Sequence, residues 1–284
     1  MNFFYTSDLH GDKNFYRELI TICRENKVEI LVLGGDLLPR MGHSNRSISE
    51  QKNFIHDFLG EILKKIKQTL RVKIFAILGN NDWAAVLDDI KELEKAGLIH
   101  ILHQTYFKIE NNLFITGYPF VPPTKFSPKD FEKRDLSDDQ GVNITTFPVI
   151  SETGEIKTIK EEIFFQDRPS IEDDLKQYME YAQNNPDKKI IYVMHSPPFG
   201  TMLDRLYNSQ PAGSRAIKAF IEKTQPLMTL HGHIHESPAI SSEYWEMIGS
   251  TLSVNPGQVG GFLSGVFFNS DDPKQSIRHN QYDK

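Results

Sequence analysis

Hydrophobic positions along the chain fall into two rhythms. Short β-rich runs at 2–6, 29–33, 73–78, 189–194 and 227–230 read as buried strands. Between them lie amphipathic stretches with apolar residues three and four apart. In 49–70 these are Ile55, Phe58, Leu59, Ile62, Leu63 and Ile66, which predicts one long helix. Helices are also expected at 12–24, at 83–96 with Gly97 as its stop, at 214–223, and from Ser170 with Asp173 three residues on as a capping box. Runs at 101–109 and 113–116 read as strands around the turn Glu110-Asn111-Asn112, and 245–254 and 262–268 as closing strands. Strand, polar turn and helix in alternation predict an α/β fold with parallel strands joined by crossover helices.

Residues 119–169 break this rhythm. They are rich in Pro, Asp, Lys and Ser, and within them 145–150 and 155–160 flank Glu152-Thr153-Gly154, a β-hairpin signature. The segment reads as an insertion, either an ordinary structured loop or a lid or contact surface. The polar stretch 269–284 reads as a frayed tail. No repeat or linker divides the chain, so 1–284 reads as one domain.

Bulk composition narrows the function. A hydrophobic fraction of 39% and a charged fraction of 25% are those of an ordinary globular protein. A net charge of −6 disfavours nucleic acid as a partner. No apolar run approaches the ~18 residues of a membrane span. The stretch MNFFYTSDLHGD has neither the basic region nor the apolar run of a signal peptide. The one cysteine, Cys23, cannot close an internal disulfide, so the cytoplasm is the expected location. A homo-oligomer is left open.

The chemistry collects where strands end. Ser7-Asp8-Leu9-His10-Gly11, Gly34-Gly35-Asp36, Gly79-Asn80-Asn81-Asp82, His195-Ser196-Pro197-Pro198 and His231-Gly232-His233-Ile234-His235 each follow a predicted strand. In open α/β sheets ligands bind at the carboxyl ends of strands, so these loops can share one rim. Asp8 and His10 are two apart, as are His233 and His235, and in extended backbone each pair aims at one side. Carboxylates, an amide and imidazoles, without thiolate, suit Mn²⁺, Fe, Zn²⁺ or Co²⁺. Taken singly, each piece is more often a turn, a cap or a satisfied histidine. Three histidines in five residues at 231–235, from ten in the whole chain, are the least ordinary of them.

In order, the motifs resemble the DxH, GD, GNH[DE], H and GHxH series of the calcineurin-like metallophosphoesterase superfamily. HSPPFGTMLDR (195–205), QPLMTLHGHIHESP (225–238) and VNPGQ (254–258) resemble its bacterial and archaeal branch of predicted phosphoesterases related to a cyclic-AMP phosphodiesterase. The resemblance implies a four-layer α/β sandwich of two mixed β-sheets flanked by helices. It implies two divalent metal ions, Mn²⁺, Fe or Zn²⁺, one taken by Asp8, His10 and His235, the other by Asn80, His195 and His233, with Asp36 bridging. It implies hydrolysis of a small phosphate ester, a phosphodiester foremost, by attack of a metal-bridging hydroxide on phosphorus. Arg40, four residues after Asp36, resembles a phosphate-binding arginine, although a solvated loop arginine is the plain alternative. His231 reads as packing beside the ligands.

The catalytic pair of the third motif falls on Asn81 and Asp82. The family has histidine, a general acid, where this chain has Asn81, and an amide is no acid near neutral pH. His10 and His43 are candidate substitutes, and Asp82 is expected to cap the helix at 83–96. The missing acid keeps a second class open, a phosphate-binding or protein-interaction module with a degenerate site. A nuclease is the third choice.

Overall fold

Along the first strand Phe3 and Tyr5 face one side and Phe4 the other. The same alternation recurs in its neighbours, because successive strand side chains point to opposite faces. The computed structural model describes residues 1–40, 42, 44–139 and 144–282. Strands β1 (Asn2–Thr6), β2 (Ile30–Gly34), β3 (Lys73–Ile77) and β4 (His100–Ile101) lie parallel, side by side. Strands β5 (Phe107–Glu110) and β6 (Leu113–Tyr118) begin a second sheet as an antiparallel pair. β7 (Val149–Glu152) and β8 (Glu155–Thr158) form a separate hairpin, turned by Thr153 at φ 52 and Gly154 at φ 86.

The second sheet is completed by β9 (Lys189–Met194), β10 (Met228–Leu230), β11 (Trp245–Ile248) and β12 (Thr251–Val254), in the order β11-β12-β10-β9-β6-β5. The chain then returns to the first sheet as β13 (Val266–Asn269) and β14 (Arg278–His279), giving β14-β13-β1-β2-β3-β4. Both sheets have six strands and are mixed.

Three apolar clusters define the layers. Phe3, Tyr5, Val32 and Ile77 of the first sheet pack against Ile115, Ile191, Val193 and Leu230 of the second. Leu31, Leu33 and Ile74 on the opposite face meet the helices Lys13–Glu25, Gly60–Thr69 and Leu87–Lys95. Ile190, Tyr192 and Met194 meet Ile171–Asn184 and Arg215–Thr224. The result is helix, sheet, sheet, helix. Each fully buried Leu, Ile or Phe contributes roughly 1.5–3 kcal/mol, so the central cluster locks the two sheets in relation to each other. Among the described residues no helix is long and apolar enough to cross a membrane.

Several elements depart from the sequence reading. The helix expected at 49–70 starts earlier, as Asn45–Phe54, and passes through a π turn at Ile55–Leu59 before Gly60–Thr69. The helix expected at 83–96 opens as a 3₁₀ turn, Ala84–Val86, whose free N–H groups at Ala84 and Ala85 donate to Asp130 and Ser151 across the fold. The single strand expected at 101–109 is two strands in different sheets, since the chain crosses from β4 to β5 there. Within the described residues the tail is not frayed throughout: β14 pairs with β13, and His279 is buried. The segment 119–169 is partly structural, with Phe131 and Val149 in the helix-side core of the first sheet. Lys129, Glu132 and Glu161 are buried together within it.

Candidate metal centre

β1, β2 and β3 of one sheet and β9 and β10 of the other end at a common seam. Three contacts stitch it. Tyr5 donates its hydroxyl to the His231 carbonyl at 2.7 Å. His195 Nδ1 lies 2.8 Å from the Gly34 carbonyl. The His233 N–H donates to Asp8 Oδ2 at 3.0 Å. With the Asn81 N–H donating to Asp36 Oδ1 at 2.8 Å, all five loops named from the sequence face one another, as their strand-end positions imply.

Asp8, His10, Asp36 and His235 each present one ligand atom, all within 4.8 Å of one another. His235 Nε2 lies 3.1 Å from Asp8 Oδ1 and 3.2 Å from His10 Nε2. His10 Nε2 is 3.7 Å from Asp36 Oδ2. His195 Nε2 stands on the other side of that carboxylate, 3.5 Å from Asp36 Oδ1, and its ring is 5.4 Å from that of His233. Asp36 thus has imidazoles on both sides.

The donors are partly orphaned. Both amide atoms of Asn80 and Nε2 of His195 are buried with no hydrogen-bond partner. The carbonyl of Gly34 requires a proton on His195 Nδ1. Nε2 then faces Asp36 Oδ1 at 3.5 Å, an arrangement that calls for a cation at that atom, a proton in the metal-free protein or a metal ion in its place. Buried polar atoms are ordinarily satisfied, so these orphans fit residues built to hold metal.

Electrostatics agree. Burial would raise the Asp36 carboxyl, but His195, His10 and the Asn81 N–H outweigh it and hold it well below the ordinary carboxylate range. Burial disfavours charge on His195 too, yet Asp36 and Asp8 raise its imidazole to about 9. Burial dominates at His10, lowered to about 4, and at His233, lowered to about 3, leaving neutral rings with lone pairs to offer.

The pairs two residues apart do not lie in extended backbone. Asp8, His10, Asp36 and His233 all have left-handed φ angles, 61°, 45°, 51° and 66°. Such strain in non-glycine residues persists only where surroundings enforce it. Here the Asp8, His10 and Gly11 N–H groups donate to the carbonyls of Gly35, Asp36 and Leu37, laying one loop on the other. Glycine is required where this crowding is worst. A Cβ on Gly79 would overlap Asp36 Oδ1 and lie 2.6 Å from His195 Nε2.

Asn81 and Asp82 have duties other than those expected. Asn81 donates its N–H and its side-chain amide to Asp36. Asp82 does not cap a helix: its carboxylate accepts from the N–H groups of Leu37, Leu38 and Gly79 and is wholly buried. Burial and the charge of Asp36 push its carboxyl up to about 7. Arg40 reaches the group, with Nη2 3.3 Å from His235 Nε2. His231 is buried and fully engaged with Met194, Ser196 and Thr229, a supporting residue as read. His43 lies outside the described residues.

The sequence marks the loops that converge here but not what frames them. Asn255, within VNPGQ, donates to the carbonyls of Leu203, Gly232 and Ile234, tying the histidine loop to its neighbour. A cleft of about 600 Å³ opens beside His233 and His235, with Arg40, Phe126, Tyr207 and Gln258 in its lining. No sequence periodicity marks these positions, because each belongs to a separate loop.

The family model for calcineurin-like phosphoesterases matches residues 1–237. No curated protein sequence matches the chain. Among solved structures, the TT1561 protein of Thermus thermophilus is similar with a TM-score of 0.62 at 14% identity, over 99% of this chain and 98% of that one. A dimetal phosphatase from Danio rerio gives 0.55 at 10% identity, over 95% and 93%. The calcineurin-like phosphoesterase YfkN from Bacillus subtilis gives 0.53 at 13% identity, over 99% and 88%. At these identities the likeness is one of fold.

Proposed function

Since the chain belongs to the calcineurin-like phosphoesterase family, we propose that it is a metal-dependent hydrolase of small phosphate esters, acting on phosphodiesters and on esters with good leaving groups. The observation that carries this reading is the set of orphaned, buried donors, His195 Nε2 and the Asn80 amide, beside the Asp8, His10, Asp36 and His235 group. On this reading Asp8, His10 and His235 hold one divalent ion, Asn80, His195 and His233 hold a second, and Asp36 serves both. Mn²⁺, Fe and Zn²⁺ suit the donors. Such ions, when bound, ionise a water near neutral pH and draw charge from phosphoryl oxygens.

The chain's own residues do the rest. Arg40 gives a planar guanidinium to a phosphoryl oxygen. Asn81 orients Asp36, and Asp82 fixes the loop on which Asp36 sits. No histidine occupies position 81 to protonate a leaving oxygen, which is why good leaving groups are favoured. The same reading takes 1–284 as one domain with 119–169 as its insertion, and the lone thiol at Cys23 suits the cytoplasm.

The test is to strip the protein with a chelator, reload it with Mn²⁺ and follow bis(4-nitrophenyl) phosphate. Activity should vanish and return. A reloaded protein that binds inorganic phosphate but turns over no ester would instead support the interaction-module reading, for which the missing acid is the one favourable observation.

A further inference from the structure

The cleft beside the metal group is much larger than a phosphate needs. Its volume of about 600 Å³ falls among sites that enclose organic ligands. Arg40 stands at its inner end against His235, and Lys125 adds a second cation. Elsewhere the lining is largely apolar, with Pro122, Pro123 and Phe126 from one segment and Leu206, Tyr207 and Val259 from others. Phe126 is 49% exposed and Tyr207 71%. Rings left in water beside a polar site forgo burial free energy that a ligand can recover.

Each wall is tied down. Gln258 donates its N–H to the His235 carbonyl at 3.0 Å. Tyr207 donates its N–H to the Glu236 carboxylate at 3.3 Å, and Arg205 donates its own to Ser237 at 2.9 Å. The third wall hangs on Thr124. Its N–H and hydroxyl donate to Glu132 at 2.9 and 2.5 Å, and its carbonyl accepts from Lys129 Nζ at 2.8 Å. The Thr124 hydroxyl in turn accepts the Phe126 N–H at 3.0 Å. Lys129 also pairs with Glu132 at 2.8 Å and faces Glu161 at 3.3 Å. A buried ion cluster is poor value as stabilisation alone, because desolvation opposes it. Here it fixes Thr124, and through Thr124 the backbone of Phe126.

We propose that this cleft binds the organic part of the phosphoester and that this part carries a flat aromatic ring seated on Phe126, with Lys129, Glu132 and Thr124 as positioning residues for that ring. The proposal rests on the phosphoesterase reading and names its substrate class. A flat ring stacks on an exposed ring and on the Arg40 guanidinium, whose carbon lies 6.0 Å from the Phe126 centroid. An apolar alkyl group would gain burial alone.

Calorimetry on the Mn²⁺-loaded protein tests this with methyl-, cyclohexyl-, phenyl- and 1-naphthylphosphonate, which share an anionic head and are not hydrolysed. Affinity should rise in that order, with the naphthyl compound about tenfold or more tighter than the methyl. Phe126→Ala should shrink the naphthyl-to-methyl ratio and Phe126→Tyr should restore it. Thr124→Val should shrink the ratio too, although its side chain is proposed only to hold Phe126. Equal affinity across the series, or a ratio unchanged in Phe126→Ala, overturns the proposal. A cyclohexyl compound as tight as the naphthyl overturns the aromatic assignment. If methylphosphonate binds and the series is flat, only this proposal falls. If elemental analysis finds no Mn²⁺ uptake and no phosphonate binds, the phosphoesterase reading falls and takes it along.

Discussion

Asn81 holds both oxygens of the Asp36 carboxylate. Its backbone N–H donates to Oδ1 at 2.8 Å and its side-chain amide to Oδ2 at 2.5 Å. An amide so engaged neither faces a leaving group nor gives up a proton. The rate, kcat/KM, should therefore fall steeply as the leaving-group pKa rises. Asn81→His should restore an acid and help alkyl esters most, by about tenfold or more, since a positioned acid typically contributes ~10²–10⁴. Asn81→Ala separates the two roles: it removes a hydrogen bond to a charged group, worth about 1.5–3 kcal/mol, and should leave the slope unchanged. Kinetics across esters of graded leaving-group pKa decide. A shallow slope in the parent means another donor already serves; His10, lowered to about 4 and counted among the metal-holding group, is poorly suited to that part.

Asp82 anchors the Asp36 loop through Leu37, Leu38 and Gly79. Asp82→Ala would leave three buried N–H groups unpaired, at about 1–3 kcal/mol each. The melting temperature should drop by roughly 5–15 °C, and by less in Asp82→Asn, which keeps one acceptor oxygen. An unchanged melting temperature in Asp82→Ala would show that the loop is held by other means.

Much of this centre was legible because it follows strand ends, and strand ends are written in short apolar runs. The loops carrying Asp8, Asp36, Asn80, His195 and His233 follow strand ends and meet at one seam. What was illegible is long-range. The left-handed turns at Asp8 and His10 are imposed by carbonyls of residues 35–37, so reasoning from extended geometry reached the right neighbours through the wrong backbone. Asp82 looked like a local cap because its partners 44 and 45 residues away cannot be read from its neighbours. The tail strand β14 is polar on its exposed side, and only pairing with β13 shows why His279 is buried.

Arg40 and Asp36 should separate metal binding from substrate binding. Asp36 lies between imidazoles on both sides, whereas Arg40 sits at the cleft end of the group. Asp36→Ala should lose metal and activity together. Arg40→Ala should keep its metal and raise KM, with a smaller loss in kcat. Elemental analysis beside steady-state kinetics reads both. Equal metal content in Asp36→Ala and the parent would rule out a role at both ions.

His195 should couple metal binding to protons. In the metal-free protein, burial disfavours its charge but Asp36 and Asp8 raise it to about 9, against about 6.5 in an unfolded chain. Its Nε2 is then protonated at neutral pH, and an ion that takes that atom must displace the proton. Asp8 and Asp36 are already ionised, and His10 and His233 already neutral, so they add little to the exchange. The His195 proton alone should make Mn²⁺ affinity fall about tenfold for each pH unit below 9. Calorimetry in buffers of different ionisation enthalpy should count close to one proton released at pH 7. The sign for stability is the reverse. A base whose folded pKa is raised stabilises the metal-free fold fully below about 6.5, and that contribution is lost as pH rises through 9. The metal-free protein should therefore melt lower at pH 9.5 than at pH 6.5, and His195→Gln should flatten both dependences. An Mn²⁺ affinity independent of pH between 7 and 9, with no proton released, would mean that His195 Nε2 is not where the ion binds.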